Sequence, residues 1–423
     1  MWVFIFLIIQ TMNAKVNYKP LEIFPPYKME VKSGFDSLNV RFIGNWPFGP
    51  SYAVTFDPLR NLIFLGSGGG VYILDVSDPS NPIKVSEKIH TRGIVKGLFY
   101  EPVNKRLYIA AGQGGLEIWD VTDASNPNKL GHYFTPGLSF DVYVSGNYVY
   151  VADYDAGLRI IDVSDPSSPY EKGYYDTPGY SYGVYVSNDY AYVADDYAGL
   201  RIIDVSNPSS PYEVGYYDTP GLAYDVYVSG NYAYVADDWA GLRIIDISNP
   251  SSPYEKGYYD APGYSYGVYV SGNYAYVADD EAGLRIIDVS NPSSPYEVGY
   301  YDTPGYSCGI YVSGNYAYVA DGSAGLQIYK FYGYGIEEND FSKEKFRLLS
   351  NIVKNEIKIE LGSLLKEKMI KFELYNILGE KVRTYRVNES TSKISLSVDG
   401  IYPGIYFLKY NKENKPFKII ITR

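Results

Sequence analysis

Between about Asn39 and Phe331 the chain is written in short runs in which apolar and polar residues alternate, the period of a half-buried β-strand. Near Tyr266 the runs read YSYGVYVSG, NYAYVADD, GLRIIDVS and YEVGYYD. Turn residues separate them. Gly272-Asn273 joins the first two runs; the equivalent pairs are Gly146-Asn147, Asn188-Asp189, Gly230-Asn231 and Gly314-Asn315, dipeptides that accept positive φ in a tight hairpin. The segment from Asn291-Pro292 to Pro295 joins the third and fourth runs, and neither proline fits a central strand. Pro304-Gly305 closes the fourth run and leads into the next unit.

The unit recurs. The string GLRIIDVSNPSSP opens at Gly157, Gly199, Gly241 and Gly283, each 42 residues apart, with divergent copies at Gly70, Gly115 and Gly325. Seven copies of four strands in about 42 residues predict an all-β fold, a seven-bladed β-propeller over residues 39–331. Strand bookkeeping separates a closed ring from an open solenoid. The fourth run follows its own third run only six times, and the missing one lies at the front, in NVRFIGNW from Asn39 to Trp46. That strand is expected to pair with Gly325–Phe331, because an open solenoid would leave both edges bare. A second period runs through the units: Leu138-Ser-Phe-Asp, Tyr180-Ser-Tyr-Gly, Leu222-Ala-Tyr-Asp and Tyr264-Ser-Tyr-Gly alternate, the mark of a duplicated two-blade block.

The ends differ from the middle. Trp2 to Ile9 is an apolar run of signal-peptide length with Ala14 as a small residue for cleavage, so residues 1–14 are read as a signal peptide and 15–38 as a linker; the competing reading is a buried N-terminal strand. Residues 332–345 are mostly polar and form a second linker. The alternating runs from 346 to 423 predict a small Ig-like β-sandwich. No segment of the mature chain is long and apolar enough for a membrane helix.

Composition sharpens this picture. There are 423 residues, 46% of them hydrophobic, and 50 tyrosines, which suit half-buried strands. The net charge is −12, yet residues 346–423 alone carry +7, leaving −19 on the rest. An acidic body repels phosphates and argues against nucleic acid as a partner. A single cysteine, Cys308, rules out an internal disulfide, and two histidines, His90 and His132, leave little for histidine-based metal sites or triads.

The repeat core GLRIIDVSNPSSP, preceded by YAYVAD, resembles the LVIVD repeat of bacterial surface and exported proteins. The resemblance implies a propeller and names no ligand. The tail is similar to the C-terminal sorting domain of the type IX secretion system, on Leu374-Tyr-Asn-Ile-Leu-Gly379-Glu-Lys-Val382, Ile401-Tyr-Pro-Gly404-Ile-Tyr-Phe-Leu408 and the basic ending Lys418–Arg423. Its motif residues are Tyr375, Asn376, Gly379, Pro403, Gly404 and Tyr406. The tail departs from that pattern at its front, where Asn351 precedes Ile352 instead of proline. The resemblance implies export across an outer membrane, recognition by the secretion translocon, and a secreted or outer-membrane-anchored product. An accessory domain without a sorting role is the alternative.

Candidate ligand-binding residues lie in the loop between second and third strands, where near-identical blades differ most: Tyr154-Asp155, Asp196-Tyr197, Asp238-Trp239, Asp280-Glu281 and, in the last unit, Gly322-Ser323. Aromatics and carboxylates there would ring the mouth of the central channel and suit a protein, peptide or glycan. Neutral drift on exposed loops is the competing reading. Asp153, Asp195, Asp237, Asp279 and Asp321 precede these loops, and Arg159, Arg201, Arg243 and Arg285 follow them. An ion-pair or hydrogen-bond lattice is expected there, because Asp-Asp dipeptides lack the ligand spacing of a calcium loop. No metal, cofactor or catalytic residue is assigned. The alternatives to a binding scaffold are an exported propeller hydrolase or lyase with its site on divergent blades one and two, and a purely structural surface repeat protein.

Overall fold

The computed structural model describes residues 37–333 and, in the tail, 346–348, 352–353, 356–361, 369–376, 381–388, 393–402, 404–410 and 417–421. The expected signal peptide at 1–14, nearly all of the linkers at 15–38 and 332–345, and the motif residues Gly379 and Pro403 lie outside the described residues. All regular structure in the described residues is β.

Seven four-stranded antiparallel sheets make the propeller. Blade four shows the unit: Gly183–Ser187, Tyr190–Ala194, Leu200–Asp204 and Tyr212–Tyr217, from axis to rim. The hairpin between the first two strands turns on Asn188 at φ 53°, and glycines 146, 230, 272 and 314 take the same left-handed conformation in sister blades. Blades one and two differ here. Their hairpins are longer, and Asn61 and Lys105 occupy the left-handed position. The third strand is the core of each blade: Leu200, Ile202 and Ile203 are fully buried, and side chains from both faces pack against the adjoining blades. A bulge at Ile202/Ile203 leaves Val214 out of register on the outer strand, and the sister blades repeat it at Lys172, Lys256 and Val298.

The ring closes between chain regions far apart in sequence. Val40–Trp46 pairs antiparallel with Leu326–Phe331, from Val40↔Phe331 to Trp46↔Leu326, and completes blade seven as the strand count predicts. Just before it, Ser37–Leu38 lies along Tyr296–Tyr301, making blade six five-stranded. Asn39, at φ 55°, takes the chain from one blade to the next, and its side-chain amide donates to the Val298 carbonyl at 2.7 Å. This extra strand has no counterpart in the repeat and was not predicted.

The described part of the tail holds two sheets, one of Phe346–Leu348, Glu356–Leu361 and Lys393–Ser397, the other of Ile352–Val353, Met369–Asn376, Lys381–Asn388, Gly404–Tyr410 and Phe417–Ile421. Ile357, Ile359, Phe372, Leu374, Leu396 and Leu408 from both sheets share one apolar core.

Candidate functional site

A buried aspartate anchors each variable loop. In blade four Asp195 is fully buried; its Oδ2 accepts from Gly179 N at 2.8 Å, and its Oδ1 accepts from Thr177 Oγ1 and from Ser181 Oγ at 3.0 Å. Burial raises the carboxyl pKa, and these donors pull it back. Asp321 repeats the arrangement with Thr303, Gly305 and Ser307. The bonds tie the loop between second and third strands to the Pro-Gly turn entering the same blade. The arginines reach both the anchoring aspartates and the outer strand: Arg243 forms an ion pair with Asp237 at 3.8 Å, and Arg201 pairs with Asp218 at 3.0 Å and stacks its guanidinium 4.5 Å from the Tyr216 ring centre. The expected lattice is therefore built mainly of hydrogen bonds, with the arginine beside the anchoring aspartate of blades three to six linking it to the outer strand. In the ladder Arg201 stands opposite Tyr216, which brings the outer-strand end within its reach.

Each loop turns on a left-handed residue, namely Gly68, Gly112, Tyr154, Asp196, Asp238, Asp280 and Gly322, with φ between 47° and 55°, and in blades two to seven a second left-handed residue, a glycine, ends the loop. Six of these seven bridge to the segment entering the next blade, as Asp196 does to Ala223 and Asp238 to Ser265. All these loops thus share one face with the entry turns. The left-handed turn draws the first residue of each predicted pair inward. Asp196 and Asp238 are each only 8% exposed, and burial raises both carboxyl pKa values. The second residue projects outward: Tyr197 and Trp239 are both 57% exposed, and Asp155 and Glu281 are exposed. Tyr154 is half-buried and stacks on Tyr180 with ring centres 4.4 Å apart. None of the eight residues lines the channel itself.

The innermost strands do. They neighbour one another in a ring around a cavity of about 520 Å³. At the loop face its wall carries Tyr52, Lys96, Phe140, Tyr182, Tyr224, Tyr266 and Cys308, one per blade. Deeper lies a continuous belt, in which Phe99, Tyr143, Tyr185, Tyr227, Tyr269 and Tyr311 follow one another with ring centres 4.7–5.0 Å apart. Tyr185 thus belongs to the channel wall as well as to the contact between blades. Between the two tiers stand Asp141 and Asp225. Asp141 Oδ2 accepts from Val184 N at 3.1 Å; Asp225 accepts from Val268 N at 2.9 Å and from Val226 N at 2.8 Å. Burial, and then the Asp225 charge, push the Asp141 carboxyl up to about 8; burial pushes Asp225 to about 6. The Cys308 thiol is raised to about 12, chiefly by burial. Asp141 and Asp225 are the last residues of the two Asp-bearing tetrads in the alternating pattern. The period is plain in the sequence, whereas the direction these residues face is known only once strand register is fixed.

In the tail, strands Met369–Asn376 and Gly404–Tyr410 pair with Asn376 opposite Tyr406 and Tyr375 opposite Phe407. Tyr375, Asn376 and Tyr406 are thereby brought together, whereas Gly404 lies beyond this pairing, opposite Ile421. Tyr406 is buried and donates its hydroxyl to the Tyr402 carbonyl at 2.8 Å, and Lys409 lies over the Tyr375 ring.

Comparison with known proteins agrees with this architecture. LVIVD repeats match residues 61–87, 105–135, 136–177, 178–219, 220–261, 262–303 and 304–328. A secretion system C-terminal sorting domain matches residues 351–422. No curated protein matches the chain. Among solved structures, the Myceliophteria thermophila Cps50 (Swd1) beta-propeller domain is similar, at 13% identity and a TM-score of 0.56, over 69% of this chain and 99% of that one. A chain of the mitotic checkpoint complex is similar at 11% identity and a TM-score of 0.57, over 71% of this chain and 94% of that one. These likenesses concern the fold. The sorting domain marks the chain as exported, to the cell surface or the medium.

Proposed function

From a chain that belongs to the LVIVD-repeat family and ends in a secretion sorting domain, we propose an exported, non-catalytic binding scaffold that meets a protein, peptide or glycan with its loop face. One observation carries this reading. Blades three to seven keep a nearly constant frame, the anchoring aspartates hold their loops to that frame, and the residues that differ, Asp155, Tyr197, Trp239 and Glu281, point outward on one face. Exposed aromatics beside carboxylates supply anchoring area and orientation for a partner. The tail is the address label, recognised by the secretion translocon.

A glycan and peptide array probed with the full chain tests the proposal. Trp239→Ala should leave stability within about 0.5 kcal/mol of the parent, since it removes an exposed loop side chain. It should weaken the captured partner by about 2 kcal/mol. Unfolding of Trp239→Ala, with affinity intact in the folded fraction, would make Trp239 a packing residue and remove the loop face as the binding surface.

A further inference from the structure

We propose that the central channel is a binding site for an aliphatic primary ammonium group, received between the Asp141 and Asp225 carboxylates and the aromatic tiers on either side of them. The inference rests on reading the chain as a binding scaffold, and it locates a ligand on the axis, apart from the loop face.

The ring does not need these carboxylates in order to close. The corresponding positions of the other five blades hold Ala53, Gly97, Gly183, Gly267 and Gly309. Asp225 stands against Gly183, where a Cβ would come within 2.8 Å of the Asp225 Cα, and Asp141 stands in the same way against Gly97. The neighbouring innermost strand therefore packs directly against the backbone of each acid, and both acids line the channel. Among the described residues no lysine, arginine or histidine stands against either carboxylate; their partners are backbone N–H groups. Enclosing a carboxylate without a counter-ion is unfavourable, and an asparagine would accept from the same N–H groups at lower cost. What distinguishes aspartate from asparagine here is attraction for a cation.

The walls favour an organic cation over a metal ion. Calcium takes about six to eight oxygen ligands, whereas the oxygens of Asp141 and Asp225 are already shared with backbone donors. Tyrosine faces attract ammonium groups. The channel holds an internal example, since Lys96 places its Nζ 4.6 Å from the Tyr52 ring centre and 5.3 Å from that of Phe140. Around the mouth, Asp196 and Asp238 act on Tyr224, and Asp238 and Asp280 on Tyr266, so the field at the entrance is also negative. A cavity of about 520 Å³ admits a slender alkyl chain ending in an ammonium group.

The experiment is calorimetric titration of the full chain at pH 9 and fixed ionic strength with 1,4-diaminobutane, N-acetyl-lysine methylamide, choline and calcium chloride. At that pH both carboxylates are ionised and the alkylamines are still largely protonated. Saturable binding of the diamine alone identifies a free amine as the ligand; binding of the lysine amide identifies a peptide side chain. Asp141→Asn and Asp225→Asn should each weaken that binding by about tenfold or more, the loss of a charge-assisted contact. Lys96→Met should strengthen it by removing a competing positive charge, a gain that a merely disrupted channel would not give. Trp239→Ala should leave it unchanged, so failure of the channel and failure of the loop face are read separately. Absence of amine binding, equal binding of choline or calcium, or full affinity in the Asp141→Asn/Asp225→Asn double variant overturns the proposal.

Discussion

Asp141→Asn should make the unliganded protein more stable at alkaline pH and leave it nearly unchanged in acid. In the folded protein the carboxyl titrates near 8, against an ordinary value of 3.8. A raised carboxyl binds its proton more tightly in the folded state, so stability is highest below pH 4. It is lost as the pH rises from about 4 to 8, while the unfolded chain ionises and the folded chain does not. A displacement of roughly four pH units at about 1.36 kcal/mol each sets an upper bound of about 5.5 kcal/mol. Asp141 is only half-buried, so solvent screens part of this, leaving about 2 kcal/mol as the expected penalty above pH 8. Asparagine has no charge to desolvate and retains an oxygen for Val184 N–H. Urea unfolding of parent and variant at pH 4.5 and pH 8.5 reads the effect directly: the variant should gain about 2 kcal/mol at pH 8.5, or about 4 °C in melting temperature for a domain of this size, and little at pH 4.5. Other buried carboxyls titrate in both proteins and cancel in the difference. An equal change at both pH values, or a loss at pH 8.5, would refute the reasoning, because the carboxylate would then serve as a neutral strut between innermost strands.

Deleting residues 15–46 should abolish cooperative melting or cause aggregation through the uncovered edge of Leu326–Phe331; an unchanged calorimetric melt would refute closure by Val40–Trp46. Gly183→Ala should cost about 1–3 kcal/mol in urea unfolding, because its Cβ meets the Asp225 backbone at 2.8 Å, and full stability would show that the innermost strands can move apart. Removing residues 346–423 in the native host should leave the propeller in the periplasm, as read by protease accessibility on intact cells; equal surface display would assign the tail another role.

Much of the fold is legible in the residues because each blade is built from local signals. Hairpin pairs such as Gly272-Asn273, the Pro-flanked outer connections and the 42-residue period all act within a few residues, and counting outer strands was enough to place Asn39–Trp46 in blade seven. Features that depend on register are not legible in this way. The arginines were expected near Asp153 and its equivalents. Arg159 does act on the Asp153 carboxyl, but it also lies opposite Tyr174 in the ladder and reaches Asp176, a pairing that linear spacing does not show. Both residues of each variable pair were expected to ring the mouth of the channel, yet a left-handed turn buries Asp196 while exposing Tyr197. Asp141 and Asp225 were visible as a two-blade period, but nothing in a linear pattern says that this position faces the axis. Ser37–Leu38 escaped notice because two residues carry no periodicity.

The pairing of Val40–Trp46 with Leu326–Phe331 also sets an order in time. A chain that emerges from its amino end first presents Val40–Trp46 with no partner, and nearly the whole propeller must follow before Leu326–Phe331 arrives. The four repeat strands of each of blades one to six can form from contiguous residues as they appear, with Ser37–Leu38 adding to blade six from the front of the chain. Blade seven cannot form that way, because its outer strand is the oldest part of the ring and its other three are the youngest. Until the last of them appears, the molecule is an arc with an exposed edge at either end, the state in which edge-to-edge association with another copy is easiest. Closure is therefore a single late event that marks the complete ring, and a chain interrupted anywhere before Phe331 is left as an open arc.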